Sequence, residues 1–550
     1  MTHTKQLALV AAFLLAGTAG NAQSIRYPLN AASDVLPGLP NSGIAQGSVF
    51  AIYGSGLGPS TAVNALTFPL PKNLGGSTAS VNVNGTALDC LLLYASDRQV
   101  TALLPSATPL GTGTITVQYA GGSASSPITV TDHTFGTFAW NQQGSGTGVI
   151  AYPDFSLVTP TKAANPGETL IIWGTGLGAV VGDEAAGPLP GNLGLPVEVW
   201  VGNQQSPSVG YAGRSGCCSG IDQVVFDVPQ GIAGCNVSVA VKINGEVSNF
   251  TSMAIAATGR VCSDEGFPTG TDISTWFNSG TFRYGGITLT RSINETAGIL
   301  GLPGTTTKSD DGSGIFAKIT IPPGQSPSGL IDSSSYGSCT LITFSGQGPE
   351  QFVGLTYNSL DAGPSIGISG PSGNRTLSPL SAAGFTIYSG NLGDTTPGNY
   401  LDPGTYTISG TGGTDVGAFN VQIAVPPAVT WTNEDSITTV TRANGQLITW
   451  SGGDPSGYVD ISGDSIVLES DNSAVGATFY CRAKVSDHSF MIPPVVLLSL
   501  PASASVAGFV VPGGLSVSAA TLPKQFSATG LDLGFANSLL TNSKQVITYQ

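Results

Sequence analysis

Apolar and polar residues alternate in short runs along most of the chain. SVNVNG at 80–85, TITVQYA at 114–120, VEVWVG at 197–202 and VSVAVKI at 237–243 are examples from the first half. A period of two belongs to strands with one buried and one wet face. The second half continues with IFAKITI (315–321), CTLITFSG (339–346), FVGLTY (352–357), GFTIYSG (384–390), GTYTISG (404–410), AFNVQIAV (418–425) and TFYCRAKV (478–485). Clusters of Gly, Pro, Ser and Asn separate the runs, as turns require. The pattern predicts an all-β chain of short strands.

An internal repeat organises the first half. GSVFAIYGSGLG at 47–58 returns as GETLIIWGTGLG at 167–178, an offset of 120 residues. Leu70-Pro71-Lys72-Asn73-Leu74-Gly75 answers Leu189-Pro190-Gly191-Asn192-Leu193-Gly194, and Tyr94-Ala95 answers Tyr211-Ala212. Gln99-Val100 with Pro105 answers Gln223-Val224 with Pro229. The second copy carries an insertion, GRSGCCSG at 213–220. Evenly spaced short strands with turn signals predict a β-sandwich for each copy.

The turn Gly174-Thr175-Gly176-Leu177-Gly178 after an apolar strand mimics a dinucleotide-binding loop, and Glu198 lies where a ribose-binding acid could follow. The third glycine is wrongly spaced. Pro188, Pro190 and Pro196 also forbid the helix whose N-terminus would hold the phosphates. The motif therefore predicts a strand-to-loop turn with positive φ at glycine, and no cofactor.

The strand ending YGSGLGP, the PLPKNLGG segment, VNVNG, LLYAS and the QV…P stretch together resemble the immunoglobulin-like IPT/TIG module, in the form repeated in secreted acidobacterial proteins. The first copy matches throughout, from Asn30-Ala31-Ala32-Ser33 onward; the second departs at its insertion. The resemblance covers about 230 of 550 residues. It implies an extracellular immunoglobulin-like sandwich and no catalytic residue. YLDPGTYTISGTGGTDVGAF (400–419) and LITWSGGDPSGYVDISG (447–463) resemble recurring pieces of the same proteins.

The expected organisation is a signal peptide at 1–22, immunoglobulin-like repeats at 25–132 and 133–258, a β-sandwich at 259–426, and a C-terminal immunoglobulin-like or β-sandwich domain at 427–550. Pro426-Pro427 marks the last boundary. The fold class is all-β, with tandem immunoglobulin-like sandwiches. The leader rests on a polar start with Lys5, ten apolar residues from Leu7 to Ala16, and small residues before Ala22. No later run is long enough to span a membrane.

Charge narrows the partners. The chain has 18 Lys+Arg and 33 Asp+Glu, 9% charged in all, with a net charge of −15. Removing the leader takes away Lys5 and makes this −16. Nucleic-acid binding needs clustered cations and is excluded. Gly and Pro, 76 and 36 residues, suit turns, and the shortage of Lys, Glu and Arg leaves little for exposed helix faces.

Export permits disulfides. Seven cysteines leave at least one unpaired. Cys217 or Cys218 with Cys235, and Cys262 with Cys339, are the expected pairs. Vicinal cysteines without nearby histidine do not suit a metal site. His133 and His488, each beside an aspartate, do not make a triad with the lone G-x-S-x-G at 363–367, which has no clear following helix. Asp264, Glu265, Asp310, Asp311, Asp332 and Glu350 are the acids available for glycoside chemistry. Residues 308–314, KSDDGSG, read as a turn, with a calcium loop as the alternative. Trp140, Trp276 and Trp431 are candidates for a sugar-stacking surface, with Tyr336, Tyr357 or Tyr388 nearby, whereas Trp173, Trp200 and Trp450 alternate within strands and are expected in the core.

The sequence thus points to an exported, non-enzymatic, multidomain β protein, secreted or at the cell surface. It would bind or adhere there, with polysaccharide or a surface protein as partner and no cofactor. The alternatives are a structural spacer or coat component, and a polysaccharide-degrading enzyme with immunoglobulin-like accessories.

Overall fold

The structure, a computed structural model, describes residues 23–296, 304–321, 334–345, 356–382, 384–393, 400–468, 474–506 and 509–550. The expected leader, Asp332 and Glu350 lie outside the described residues.

Residues 24–131 form two packed sheets. One runs in the order Ser24–Asn30, Val49–Ser55, Gln99–Leu103, Leu91–Ala95, Val63–Asn64, and the other centres on Gly122–Thr131, Gly111–Tyr119 and Ser77–Val83. The alternation in the sequence explains the packing. In Ser77–Val83 every second residue is buried, and Val81, Val83, Ile115 and Val117 meet Phe50, Ile52, Leu92 and Val100 between the sheets. Residues 136–255 repeat this with a six-stranded and a five-stranded sheet around Ile172, Val199, Val201, Phe226, Val239 and Val241. The chain is all-β, a tandem of immunoglobulin-like sandwiches.

The insertion in the second copy docks it onto the first. Arg214 is fully buried and pairs with buried Asp222, while its second nitrogen donates to the carbonyls of Gly47, in the first repeat, and Gly178. The Asp222 carboxylate in turn accepts the backbone N–H groups of Gly176 and Leu177, each at 2.8 Å. The glycine turn that mimics a phosphate loop therefore holds an anion, a carboxylate of its own chain. Gly176 has φ +113°, and a Cβ there would meet the Thr134 carbonyl. Asn30 adds donations to Thr134 and Thr175.

The second half departs from expectation at 426/427. A single long sheet takes strands from both sides of that position. Thr281–Thr296 pairs parallel with Leu533–Tyr549, whose later part pairs antiparallel with Gly513–Ala520. Ser338–Ser345 lies beside Ala474–Lys484, not beside its neighbours in sequence. Pro426-Pro427 only separates Phe419–Val425 from Val429–Trp431. A proline pair reports that a strand stops; it carries no information about pairing across a hundred residues. Two cores flank the sheet. One gathers Ile287, Phe316, Ile368, Leu377, Tyr388 and Tyr406. The other gathers Trp431, Trp450, Ile461, Phe479, Leu497, Val517 and Tyr549.

The disulfides also differ from expectation. They are Cys217–Cys218, Cys235–Cys262 and Cys339–Cys481, with Cys90 a buried free thiol. Cys218 does not reach Cys235, because the insertion turns toward the first repeat. Cys339 and Cys481 are direct cross-strand partners in the pairing that the 426/427 boundary had hidden. Residues 308–314 are neither turn nor calcium loop. They lie inside the strand Thr305–Thr320, with Asp310 turned inward and paired to Arg291 on the neighbouring strand.

Candidate functional site

The long sheet has one face against the cores and one turned outward. On the inward face Ile461, Phe479 and Val517 are fully buried. The outward positions between them carry hydroxyls and amides instead of the usual Lys and Glu. Register alignment puts Thr340, Tyr480, Ser462, Ser516, Ser543, Asn294 and Thr307 in one row across seven adjacent strands. A second row runs Ser518, Thr541, Ser292, Ser309, and a third Asn537, Thr288, Ser313, Ser389, Ser378. Neighbouring strands are about 4.8 Å apart, so each row offers a polar group at that interval. Several members hold one another: Ser516 to Ser543 and Ser518 to Thr541 at 2.9 Å, and Thr288 to the Asn537 carbonyl oxygen at 2.9 Å. Thr307, Ser313 and Ser378 are exposed and most of the other members half-buried, with capacity left toward solvent, whereas Ser543 is buried.

Apolar groups border these rows. At the edge strand Ser338–Ser345, Ile342, Phe344 and the adjacent Tyr480 are 38%, 39% and 43% exposed, unlike the buried aromatics of the cores. At the start of Thr281–Thr296 the helix Gly270–Asn278 covers the face, with Trp276 stacked on Phe282 at 4.4 Å.

Charge on this face is confined to a few groups: Asp460 and Arg482 continue the second row, and Asp464 and Asp311 lie two positions from Ser462 and Ser309 on the same side. Arg482 is buried, doubly bonded to Asp460 at 2.7 and 2.8 Å and sandwiched between the rings of Tyr458 and Phe267. Burial opposes its charge, but Asp460 outweighs burial and holds the guanidinium above its ordinary pKa. Burial pushes the Tyr458 phenol up to about 12. Burial also raises the Asp464 carboxyl, against a hydrogen bond from the Gly514 amide, so this acid sheds charge more readily than a surface aspartate.

The residues singled out in the sequence scatter. Trp431 is not on a surface: it is 4% exposed, lies opposite Trp450, and donates to Asn433. Its strand Val429–Trp431 is too short for the alternation to show which face is buried. Trp276 is half-buried on Phe282, and Trp140 is half-buried in the second repeat. Tyr388 is buried and donates to Gly363, Tyr357 is exposed, and Tyr336 lies against Lys484. Trp450 is core; Trp173 and Trp200 are half-buried, Trp200 against the C-terminal core.

Three of the candidate acids are engaged, and Asp311 lies half-buried on the outward side of Thr305–Thr320 between Ser309 and Ser313. Asp264 accepts the Cys235 amide and the Ser335 hydroxyl while burial raises its pKa. Glu265 pairs with Lys484. Burial works against the Asp310 charge, but Arg291 and the amides of Leu401 and Tyr400 prevail and hold it below the usual range. Buried His133 contacts Asp132, and His488 occupies a left-handed turn. Ser365 is followed directly by the strand Ile366–Gly370. Among the described residues no three His, Cys, Asp or Glu side chains group as metal ligands, and no helix is long and apolar enough to cross a membrane. A cavity of about 50 Å³ lies where Ser33, Gly144, Asn249 and Leu341 meet.

Sequence reasoning missed Tyr480 and the hydroxyl rows. Their signal was present in YVDISGDSI, GGLSVSAA and GFANSLLTNSK, where the polar partner of each apolar residue is usually Ser, Thr, Asn or Asp.

No family model and no curated protein matches the chain. Solved structures align weakly. SGBP-B from a complex xyloglucan utilization locus in Bacteroides uniformis aligns over 86% of this chain and 96% of that one, at 9% identity and TM-score 0.16. The full extracellular region of plexin A4 aligns over 88% of this chain, at 9% identity and TM-score 0.16; the aligned part spans 31% of the plexin chain. The integrin-binding bacterial protein invasin aligns over 90% and 75%, at 12% identity and TM-score 0.12. At such scores the fold class rests on this chain's own sheets.

Proposed function

We propose that the protein is an extracellular, non-catalytic binding protein that holds neutral polysaccharide on the outward face of its long sheet. The observation that carries this reading is the set of hydroxyl and amide rows crossing the sheet beside exposed Tyr480 and Phe344. A sugar chain offers what such a face can meet: many hydroxyls for the rows, and C–H faces for the rings. The carboxylates on this face, Asp460, Asp464 and Asp311, outnumber its one buried cation, Arg482, which favours a neutral ligand over an anionic one. The disulfides support an oxidising compartment. The two N-terminal repeats, read as IPT/TIG modules on their shared glycine turns, serve as a stiff extension that presents the sheet.

Affinity electrophoresis of the full chain through gels containing neutral glucans, mannans or galactans tests the reading. Retardation by at least one is expected. Tyr480→Ala should weaken it on the order of tenfold, the loss of about one ring contact. Retardation by none of them, or retardation untouched by Tyr480→Ala and Phe344→Ala together, overturns the proposal.

A further inference from the structure

The bond between Cys217 and Cys218 joins sequence neighbours. A disulfide stabilises a fold mainly through the loop that it closes in the unfolded chain. Cys339–Cys481 spans 142 residues, whereas a bond between neighbours closes only the small ring around the peptide that joins them. Global stability therefore gives no reason for this pair.

Its position gives one. Cys217 and Cys218 are both exposed, while Cys262, Cys339 and Cys481 are fully buried and Cys235 is half-buried. Thiol–disulfide exchange needs in-line access of a thiolate to sulfur, so a solvent thiol reaches this bond first. The residues flanking the pair are buried against the first repeat. Arg214, on one side, holds the Gly47 carbonyl. Gly220, on the other, packs against Val49 and Leu103 and accepts the Thr175 hydroxyl at 2.6 Å. The same Thr175 oxygen accepts the Val49 amide at 2.9 Å. The loop is tied across its base by Ser215 N–H to the Ile221 carbonyl, and the Cys218 carbonyl accepts the Ile221 amide. A short hydrogen-bonded path thus leads from the vicinal ring to the joint between the repeats.

We propose that Cys217–Cys218 is a thiol–disulfide exchange site whose reduction loosens the docking of the second repeat on the first. The co-reactant is a dithiol. One of its thiolates attacks one sulfur of the pair, breaking the Cys217–Cys218 bond and forming a mixed disulfide. Its second thiol attacks that bond and leaves as the oxidised, cyclised reductant. Two electrons and two protons pass to the protein, which ends with two thiols. Opening the ring frees the peptide between the two cysteines, and Gly220 loses its fixed approach to Thr175.

The test uses the undenatured full chain, brief exposure to dithiothreitol, alkylation and peptide mass spectrometry. Cys217 and Cys218 should be labelled on the order of tenfold faster than any other disulfide cysteine. Labelling of Cys235, Cys262, Cys339 or Cys481 at an equal rate overturns the site. Hydrogen exchange is then read on chain reduced only at the pair. The Val49 amide should exchange on the order of tenfold faster than in the oxidised chain. Unchanged exchange overturns the coupling. Cys217→Ser/Cys218→Ser should match the reduced chain, and a match to the oxidised chain overturns the coupling as well. Should that variant fail to fold, the selectively reduced natural chain decides. Neither readout involves polysaccharide, so the result stands apart from the proposed ligand.

Discussion

Arg214 and Asp222, eight positions apart, form a fully buried ion pair at the joint between the two repeats. Arg214 sits in the insertion that sets the second repeat apart from the first, and its reach to Gly47 makes that insertion a clamp. Burying both charges is costly, and the cost is offset only while both partners and the Gly176 and Leu177 amides are present. Arg214→Met leaves Asp222 buried without its cation. It should destabilise the N-terminal half by about 3–5 kcal/mol. Arg214→Met with Asp222→Asn should recover part of this, because the uncompensated charge is gone. Urea unfolding of the three chains checks the order; equal stability of the single variant and the natural chain would contradict it.

Gly176 is the partner backbone of that clamp. Its φ of +113° lies where side chains rarely go, and an added Cβ would fall 2.3 Å from the Thr134 carbonyl oxygen. Gly176→Ala should therefore cost about 2 kcal/mol or more through backbone strain alone. The equivalent Gly56 has φ +68°, inside the small left-handed region that side chains do visit, so Gly56→Ala should cost about 1 kcal/mol. Paired thermal melts would show the asymmetry as a larger fall in Tm for the second repeat's glycine.

The strands were legible in the sequence because a half-buried strand writes its period directly into side-chain polarity. Val81 and Val83, or Val239 and Val241, need no tertiary knowledge. Long-range pairing leaves no such mark. Nothing near Cys339 points to Cys481, and nothing in 281–296 announces a parallel partner at 533–545. The boundary at 426/427 failed for that reason, and so did the disulfide pairs. The outward face was written in the polar half of the same alternation, but its meaning depends on register. Ser516, Ser543 and Asn294 become a row only after three strands are placed side by side.

Cys339–Cys481 crosslinks Ser338–Ser345 to a strand far away in the chain. It should matter for stability far more than the vicinal pair. Cys339→Ala/Cys481→Ala removes a crosslink over 142 residues and should cost about 2–5 kcal/mol. Cys217→Ser/Cys218→Ser should cost well under about 1 kcal/mol by the same chain-entropy argument. Denaturant midpoints of the two double variants, measured with equal slopes, separate the cases.

Asp34 supplies a pH dependence. It lies next to Ser33 at the small cavity between the repeats and the long sheet, in left-handed backbone with φ 49°. Burial lifts its carboxyl pKa from 3.8 to about 7, with a long hydrogen bond from Tyr53 pulling the other way. The folded state therefore holds this proton more tightly than the unfolded chain does. Its contribution favours folding below pH 3.8, declines as pH rises through the interval to 7, and is lost above it. Asp34→Asn removes the titration and keeps the shape. The side chain retains some contact with solvent, so the gain is set at about 1–2 kcal/mol, below the full value of the shift. The variant should match the natural chain near pH 4 and exceed it in Tm at about pH 8. A stability difference that is constant across that range would show that the Asp34 carboxyl titrates as an ordinary surface acid.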